Sequence, residues 1–132
     1  QLFTDKKTVL FALPGAFTPT CSRSHLPGYI DHFGDFAQKG VDQVICLSVN
    51  DAWVMDAWGK AQGADGKVMM VGDGNGDLSR KLGFLVDRSG AGFGDRSIRY
   101  AMIIENGVVT HLNVEEPQVF KISDAGTMLA LL

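Results

Sequence analysis

The sequence contains little of what marks several large classes of protein. Its 132 residues include only two cysteines, Cys21 and Cys46, which are too few for a disulfide scaffold. No apolar run approaches the roughly 20 residues that span a bilayer, and the opening residues lack the pattern of a secretory leader. A net charge of −3 provides no basic surface for nucleic acid or an anionic membrane. We therefore expect a protein that binds neither, in a reducing compartment such as the cytoplasm.

The composition is typical of a globular domain. Hydrophobic residues make up 45% of the chain and charged residues 20%. A chain of this length suits one domain with one core, so we predict a single domain over residues 1–132. Because the chain begins at Gln1 rather than at a methionine, we also expect that it is trimmed at the N-terminus.

Apolar periodicity and turn residues predict alternating strands and helices. The predicted strands cover 8–13, 43–49, 67–71, 99–104 and 108–113. The predicted helices cover 22–39, interrupted by Pro27, and 52–62, 78–82 and 124–132, with Asn50 or Asp51 capping the second and Ser123 the last. The stretch 83–94 is predicted as a loop, and Asn106-Gly107 as a hairpin turn. This order predicts an α/β fold with a mixed central sheet flanked by helices.

The stretch from Pro14 to Cys21 carries the most chemical information. It follows an apolar strand and precedes a helix, so Cys21 lies where a helix begins. Unpaired backbone N–H groups and the positive end of the helix dipole stabilise a thiolate, the reactive form of cysteine, at such a position. Thr18 brings a hydroxyl within reach of the sulfur. From the residues alone, Cys21 is equally well interpreted as a small apolar side chain near a helix start.

The same residues resemble the active-site signature of the peroxiredoxins. That signature, Pro-x-x-x-Thr-x-x-Cys, is filled here by Pro14, Thr18 and Cys21. The longer run Leu-Pro-Gly-Ala-Phe-Thr-Pro-Thr-Cys-Ser is similar to the peroxiredoxin V subgroup, which includes plant type II enzymes and bacterial forms fused to glutaredoxin. Further similar stretches lie at 46–51, 94–100 and 120–125. The resemblance implies a thioredoxin-like fold and a homodimer that uses loops near the active site.

The resemblance also implies a thiol-dependent peroxidase that reduces hydrogen peroxide and organic hydroperoxides without a cofactor or a metal. The Cys21 thiolate would attack a peroxide oxygen and become a sulfenic acid, while Pro14 shields the sulfur from water and Thr18 donates a hydrogen bond. Arg99, in the family's Arg-Tyr/Phe stretch, would hold a cation beside the sulfur, with Arg96 as the alternative. Without the family, Arg99 would be interpreted as a surface arginine at a strand end.

Magnitudes show that forming the thiolate is only part of such a mechanism. Lowering a thiol pKa from about 8.5 to about 6 raises the thiolate fraction at neutral pH about thirtyfold. Enzymes usually accelerate their reactions at least about a millionfold. The rest must come from holding the peroxide and stabilising charge as the O–O bond breaks.

Cys46 has two interpretations. Its apolar neighbours predict a buried strand, in which a cysteine behaves as a small hydrophobic residue. The alternative is a resolving cysteine that condenses with the sulfenic acid of Cys21, which requires Cα atoms within about 7 Å. The structural interpretation implies a one-cysteine cycle with glutathione, glutaredoxin or thioredoxin as the reductant.

The remaining signals are weaker. The histidines His25, His32 and His111 show no metal-binding spacing. His25 has two interpretations, a position near the active site with the first helix or a solvated side chain, and we expect the second. Trp53 and Trp58 are predicted to pack in the core. A disulfide oxidoreductase is disfavoured because the residues after Cys21 lack the second cysteine of Cys-x-x-Cys. The alternative function is a peroxide-sensing or chaperone-like redox binding module without efficient turnover.

Overall fold

A computed structural model describes residues 2–132, which form a five-stranded mixed sheet and a separate two-stranded ribbon. The strands are β1 (Lys7–Ala12), β2 (Gln43–Ser48), β3 (Met69–Gly72), β4 (Leu85–Asp87), β5 (Asp95–Ser97), β6 (Tyr100–Glu105) and β7 (Val108–Val114). The sheet has the order β3-β2-β1-β6-β7, with β1, β2 and β3 parallel and the β6–β7 hairpin antiparallel to β1. The prediction of an α/β fold with a mixed central sheet is confirmed.

The helices join the strands much as predicted. They are α1 (Leu26–Asp31), α2 (Phe33–Gln38), α3 (Ala52–Gln62), α4 (Asp77–Leu82) and α5 (Ala125–Ala130), with a π-helical turn at Cys21–His25 and a 3-10 turn at Ser89–Ala91. Helix α3 has the predicted bounds because Asp51 accepts a hydrogen bond from the Val54 N–H at 2.8 Å and Gly63 ends the helix at φ 76°. Across residues 2–132, no helix has the length and apolarity needed to cross a membrane.

The segment 22–39 is not the single interrupted helix that the sequence predicts. It divides into the π-helical turn, α1 and α2, with a second break at His32, where φ is −94° and ψ is 11°. Pro27 directly follows the π turn that the Leu26 N–H closes onto the Cys21 carbonyl, and it cannot extend this series of hydrogen bonds because it has no N–H. The interruption at Pro27 was therefore predicted, and the one at His32 was not.

The stretch 83–94 also differs from its prediction as a loop. Residues Leu85–Asp87 form β4, which pairs antiparallel with β5 so that Val86 lies opposite Arg96. Each strand is three residues long, too short to show a period, and the pairing joins residues about ten positions apart. Such a short strand is defined by its partner rather than by its own sequence.

The central strands β1, β2 and β6 are buried on both faces, whereas the edge strand β7 is largely exposed. Along β1, alternate side chains point to opposite sides, as strand geometry requires, so Val9 and Phe11 belong to one apolar cluster and Leu10 and Ala12 to the other. The first cluster also contains Cys21, Cys46, Tyr29, Trp58 and Met128. The two cysteines therefore lie on the same side of the sheet.

The prediction for the two tryptophans is half right. Trp58 is fully buried, whereas Trp53 is 83% exposed, so the packing prediction is wrong for Trp53. The buried positions of α3 are Met55, Trp58 and Gly59, one turn apart, and Trp53 lies off this face.

Arg99 and the loop that leads to Cys21 lie at the same edge of the sheet. Strand β1 runs parallel to β2 and antiparallel to β6, and Ala12 at its end lies opposite both Leu47 and Tyr100. The loop that follows β1 therefore emerges beside Arg99, which directly precedes β6. Residues far apart in the chain meet here because the end of β1, the end of the parallel strand β2 and the start of the antiparallel strand β6 lie at the same edge.

Candidate active site

Two long-range hydrogen bonds hold the loop that follows β1. Asn50, just after β2, accepts one from the Ala16 N–H at 3.0 Å. Arg96 donates to the Pro14 carbonyl at 3.3 Å and to the Phe93 carbonyl at 3.0 Å. The alternative that Arg96 is the cation beside the sulfur therefore does not agree with the structure. Arg96 fixes the backbone of the loop instead.

Cys21 lies in the first helical turn after this loop. Helical backbone begins at Pro19, and the Ser22 N–H donates to the Thr18 carbonyl at 2.9 Å. The Cys21 N–H therefore precedes the first helical hydrogen bond and is free to face an anion. The Leu26 N–H closes the wide turn onto the Cys21 carbonyl. π-Helical turns of this kind are frequent at functional sites.

The Cys21 sulfur is held in a dry and electropositive environment. The residue is 1% exposed. Arg99 Nη2 donates to Cys21 Sγ at 3.3 Å, and the Arg99 guanidinium lies over the ring of Phe120 at 5.5 Å. Because an arginine is always protonated, this contact places a permanent positive charge beside the sulfur. Such a charge stabilises the thiolate relative to the thiol.

His25 completes the arrangement, although we expected it to be solvated. That prediction is wrong, because His25 is fully buried, and the structure agrees with the alternative of a position near the active site. Its Nδ1 lies 2.7 Å from Arg99 Nη1. A guanidinium carries only donors, so Nδ1 is the acceptor and the ring proton is on Nε2, which donates to the Ser123 carbonyl at 3.0 Å. Burial and the Arg99 charge lower the pKa of His25 to about 3, so the ring is neutral.

The Ser123 carbonyl that receives this proton is itself fixed. It also accepts a hydrogen bond from Tyr29 Oη at 2.7 Å. The Ser123 N–H and hydroxyl donate to Glu115 Oε2 at 2.8 and 2.7 Å. Burial disfavours the Glu115 carboxylate, but hydrogen bonds from Ser123 and the backbone N–H groups before it outweigh this and lower the pKa of Glu115. The predicted Ser123 cap is wrong because this serine is engaged with Glu115. Asp124 caps α5.

Thr18 is placed differently from the donor that we expected. Its hydroxyl donates to the Gly15 carbonyl at 2.7 Å. The single hydroxyl proton is therefore used within the loop, and the Thr18 oxygen offers its lone pairs to an incoming O–H group. We therefore expect Thr18 to accept a hydrogen bond from the substrate rather than to donate one.

A cleft of about 460 Å³ leads to this site. Its polar walls include Thr18 and Arg99. Its apolar lining comprises Pro14, Pro19, Val86, Phe93, Ile98, Pro117, Val119 and Phe120. Within residues 2–132, no group of three or more His, Cys, Asp or Glu side chains is placed to bind a metal ion. The site offers a cysteine sulfur, a cation and a neutral acceptor beside an apolar opening.

Cys46 takes no part in the hydrogen bonds that join Cys21, Arg99 and His25. It is fully buried in β2, opposite Phe11 on one neighbouring strand and Met70 on the other. Burial raises the pKa of the Cys46 thiol well above its usual range, and the nearby Cys21 adds to this. A thiol in that state is a poor nucleophile.

A mixed sheet with a buried cysteine beside an arginine, at the first turn after β1, defines a thiol-based redox protein with a thioredoxin-like fold. The comparisons with known proteins agree. Residues 1–129 match the model of the Redoxin family. The chain belongs to that family and, within it, to the peroxiredoxins of the type II or V kind, which are thiol peroxidases.

The similarity extends over the whole chain. Peroxiredoxin sll1621 of Synechocystis sp. is 52% identical, with 100% of this chain and 73% of that protein covered. The chloroplastic peroxiredoxin-2E of Arabidopsis thaliana is 49% identical, and this chain spans 57% of its length. The crystal structure of reduced Prx3 from Vibrio vulnificus in complex with H2O2 has a TM-score of 0.96 and 56% identity, with 99% of this chain and 84% of that chain covered.

Proposed function

We propose that the chain, as one domain, reduces hydrogen peroxide and organic hydroperoxides with Cys21 as the nucleophile. The observation that carries this proposal is the contact of Arg99 Nη2 with Cys21 Sγ at 3.3 Å. This contact places a permanent cation beside the sulfur of a residue that is only 1% exposed to solvent. The compartment that we propose is the cytoplasm, on the basis of the cysteine content alone.

The proposed reaction is a displacement at the terminal oxygen of the hydroperoxide. The Cys21 thiolate attacks this oxygen, an S–O bond forms and the O–O bond breaks, giving a sulfenic acid. The sulfur is oxidised by two electrons and the peroxide is reduced. The leaving oxygen departs as hydroxide or alkoxide and takes a proton from solvent at the cleft, giving water or an alcohol.

The groups around the sulfur suit the charge that this reaction moves. Negative charge passes from Cys21 to the leaving oxygen, so donors that remain in place along this path stabilise the transition state. Arg99 and the free N–H of Cys21 are such donors. The Thr18 oxygen accepts the peroxide O–H and orients it, and Pro14 shields the sulfur from water. Holding the peroxide in this orientation supplies the rate that thiolate formation alone does not.

The proposed recycling uses an outside thiol. Cys46 has the buried position and raised pKa of a structural cysteine, which favours a one-cysteine cycle. One glutathione would then form a mixed disulfide with the Cys21 sulfenic acid and release water. A second thiol, from glutathione, glutaredoxin or thioredoxin, would attack that disulfide and return Cys21 to its reduced form.

The proposal includes a homodimer formed through loops near the site. Phe17 in the Cys21 loop is 57% exposed and Phe93 at the cleft is 39% exposed, which supports an apolar contact there. Analytical sedimentation over a range of concentrations should show a monomer–dimer equilibrium. A monomer at every concentration would contradict this part of the proposal.

Intact mass after one equivalent of peroxide tests the proposed chemistry. Fully reduced protein should gain one oxygen within seconds, mapped to Cys21, and Cys46→Ala should behave in the same way. Cys21→Ser should abolish peroxide consumption. Loss of two hydrogens without dimer formation would indicate a disulfide between Cys21 and Cys46 and would overturn the one-cysteine cycle. No change in mass would overturn the peroxidase proposal itself.

A further inference from the structure

We infer that His25 is a positioning residue for the reaction proposed above: as a neutral acceptor, it holds the Arg99 guanidinium so that Nη2 faces the Cys21 sulfur. The inference rests on the proposed function for its catalytic consequence. Its structural content, the orientation of Arg99, can be tested without turnover.

The geometry of a guanidinium makes this role effective. Arg99 directs Nη1 to His25 Nδ1 at 2.7 Å and Nη2 to Cys21 Sγ at 3.3 Å. The group is planar and rigid, so an acceptor that fixes one terminal nitrogen also fixes the direction of the other. Without that acceptor, the buried N–H of Nη1 would lack this partner and the long side chain would be free to rotate away from the sulfur.

His25 can hold Arg99 because its own ring is fixed. The Nε2–H donates to the Ser123 carbonyl at 3.0 Å, and the ring packs against Phe11 and Phe120 at centroid distances of 4.9 and 4.8 Å. This hydrogen bond keeps the proton on Nε2 and leaves Nδ1 as an acceptor. Metal-binding histidines are oriented in the same way, by a hydrogen bond from their second ring nitrogen.

The support extends one step further from the sulfur. Glu115 Oε2 accepts hydrogen bonds from the N–H groups of Lys121, Ile122 and Ser123, each at 2.8 Å. This carboxylate therefore fixes the backbone that presents the Ser123 carbonyl to His25. Glu115 also contacts the backbone of Arg99 directly, because the Glu115 N–H donates to the Arg99 carbonyl at 3.0 Å. A connected set of polar contacts runs from Glu115 to the Cys21 sulfur.

Two amide substitutions separate the two nitrogens of His25. In His25→Asn, the side-chain oxygen can occupy the position of Nδ1 and accept from Arg99. In His25→Gln, the amide nitrogen can occupy the position of Nε2 and donate to Ser123, which leaves the amide oxygen away from the position of Nδ1 and without a hydrogen bond to Arg99. We expect His25→Asn to keep kcat/KM within about fivefold of the wild type. We expect His25→Gln to lower it about ten- to a hundredfold, the range for a hydrogen bond to a charged group.

The thiolate content provides a readout that a packing role would not move. The ultraviolet absorbance of the Cys21 thiolate at pH 7 should fall in His25→Gln and be retained in His25→Asn. Because absorbance needs no turnover, this measurement tests the inference even if the protein proves not to reduce peroxide. His25→Phe, which keeps an aromatic ring among Phe11 and Phe120, should behave like the glutamine variant, whereas a packing role predicts that phenylalanine is the best-tolerated substitution.

His111→Gln is the matched control. It makes the same substitution at an exposed histidine of β7, whose Nδ1 lies 3.3 Å from the neighbouring Thr110 hydroxyl and does not reach Arg99. We expect it to leave the thiolate absorbance unchanged and kcat/KM within about threefold. The inference is overturned if His25→Gln keeps the thiolate absorbance of the wild type. It is also overturned if the absorbance in the His25 variants follows their loss of stability rather than the presence of an acceptor.

Discussion

Arg99 makes two directed contacts that a single charge could not make. Its terminal nitrogens reach Cys21 Sγ and His25 Nδ1, and its face lies over Phe120. A lysine has a compact ammonium on a flexible stem and no flat face, so it cannot reproduce this geometry. At the scale of single residues, the site therefore depends on the shape of the guanidinium as well as on its charge.

The substitution Arg99→Lys tests that dependence. It keeps the charge, but we expect it to lower kcat/KM for peroxide at least about tenfold, because a charge-assisted contact to the sulfur or to His25 is lost. Steady-state peroxide consumption measures the effect. Arg80→Lys is the control, since Arg80 lies on exposed α4 and pairs with Asp77. Equal activity of the Arg99→Lys variant and the wild type would show that the positive charge alone is sufficient.

At the scale of elements, the site depends on how β2, β3 and α3 meet. Asn50 follows β2 and holds the Ala16 N–H, and Asp51 caps α3. Gly72 at the end of β3 lies against this junction, where an added Cβ would come within 2.6 Å of the Asn50 carbonyl oxygen. The close approach of two backbones at this point requires a glycine.

The pair Gly72→Ala and Gly74→Ala tests this junction. We expect Gly72→Ala to lower the free energy of unfolding by about 1–3 kcal/mol, because the contact is with backbone that cannot move aside easily. Gly74→Ala should change it by less than about 0.5 kcal/mol, since the nearest atoms to its Cβ would be 3.8 Å away. Urea denaturation measures both. Similar values for the two variants would contradict the packing argument.

At the scale of the whole molecule, the buried neutral His25 makes stability depend on pH. In the unfolded chain this histidine titrates near its usual value of 6.5, whereas in the folded protein its pKa is about 3. Below pH 6.5 the unfolded state therefore binds a proton that the folded state does not. The contribution of His25 to stability is complete above pH 6.5 and is lost progressively as the pH falls toward 3.

This dependence can be isolated in a narrow range of pH. Between pH 7 and pH 5.5, the wild type should lose about 1 kcal/mol through His25. His25→Asn has no such proton to bind, so its stability should fall less over the same range. Urea denaturation at the two pH values gives the difference. An equal decrease in the wild type and in His25→Asn would contradict the buried neutral state of His25.

Glu115 does not contribute to this difference. Its carboxylate has a lowered pKa, so the stability that it adds is lost only as the pH falls below the ordinary value of 4.5.

Much of the fold could be predicted from the sequence, because local patterns determine local structure. The apolar runs at β1 and β2, the Asp51 and Gly63 ends of α3, and the Asn106-Gly107 turn all lie within about one residue of their predicted positions. The pairing of β4 with β5 and the break at His32 were not predicted. Both depend on contacts that a short segment does not carry in its own sequence.

The sequence by itself determined the order of the five strands of the main sheet and of the helices between them, the family motif around Cys21 and the identity of the chemical groups available. Only the tertiary structure decided which of those groups meet. His25 looked like a solvated histidine, and became a buried acceptor because the turn after Cys21 and the strand after Arg99 converge at one edge of the sheet. The physical reason is that hydrogen-bond partners such as Ser123, 98 residues away, are brought together by packing, which no local pattern encodes.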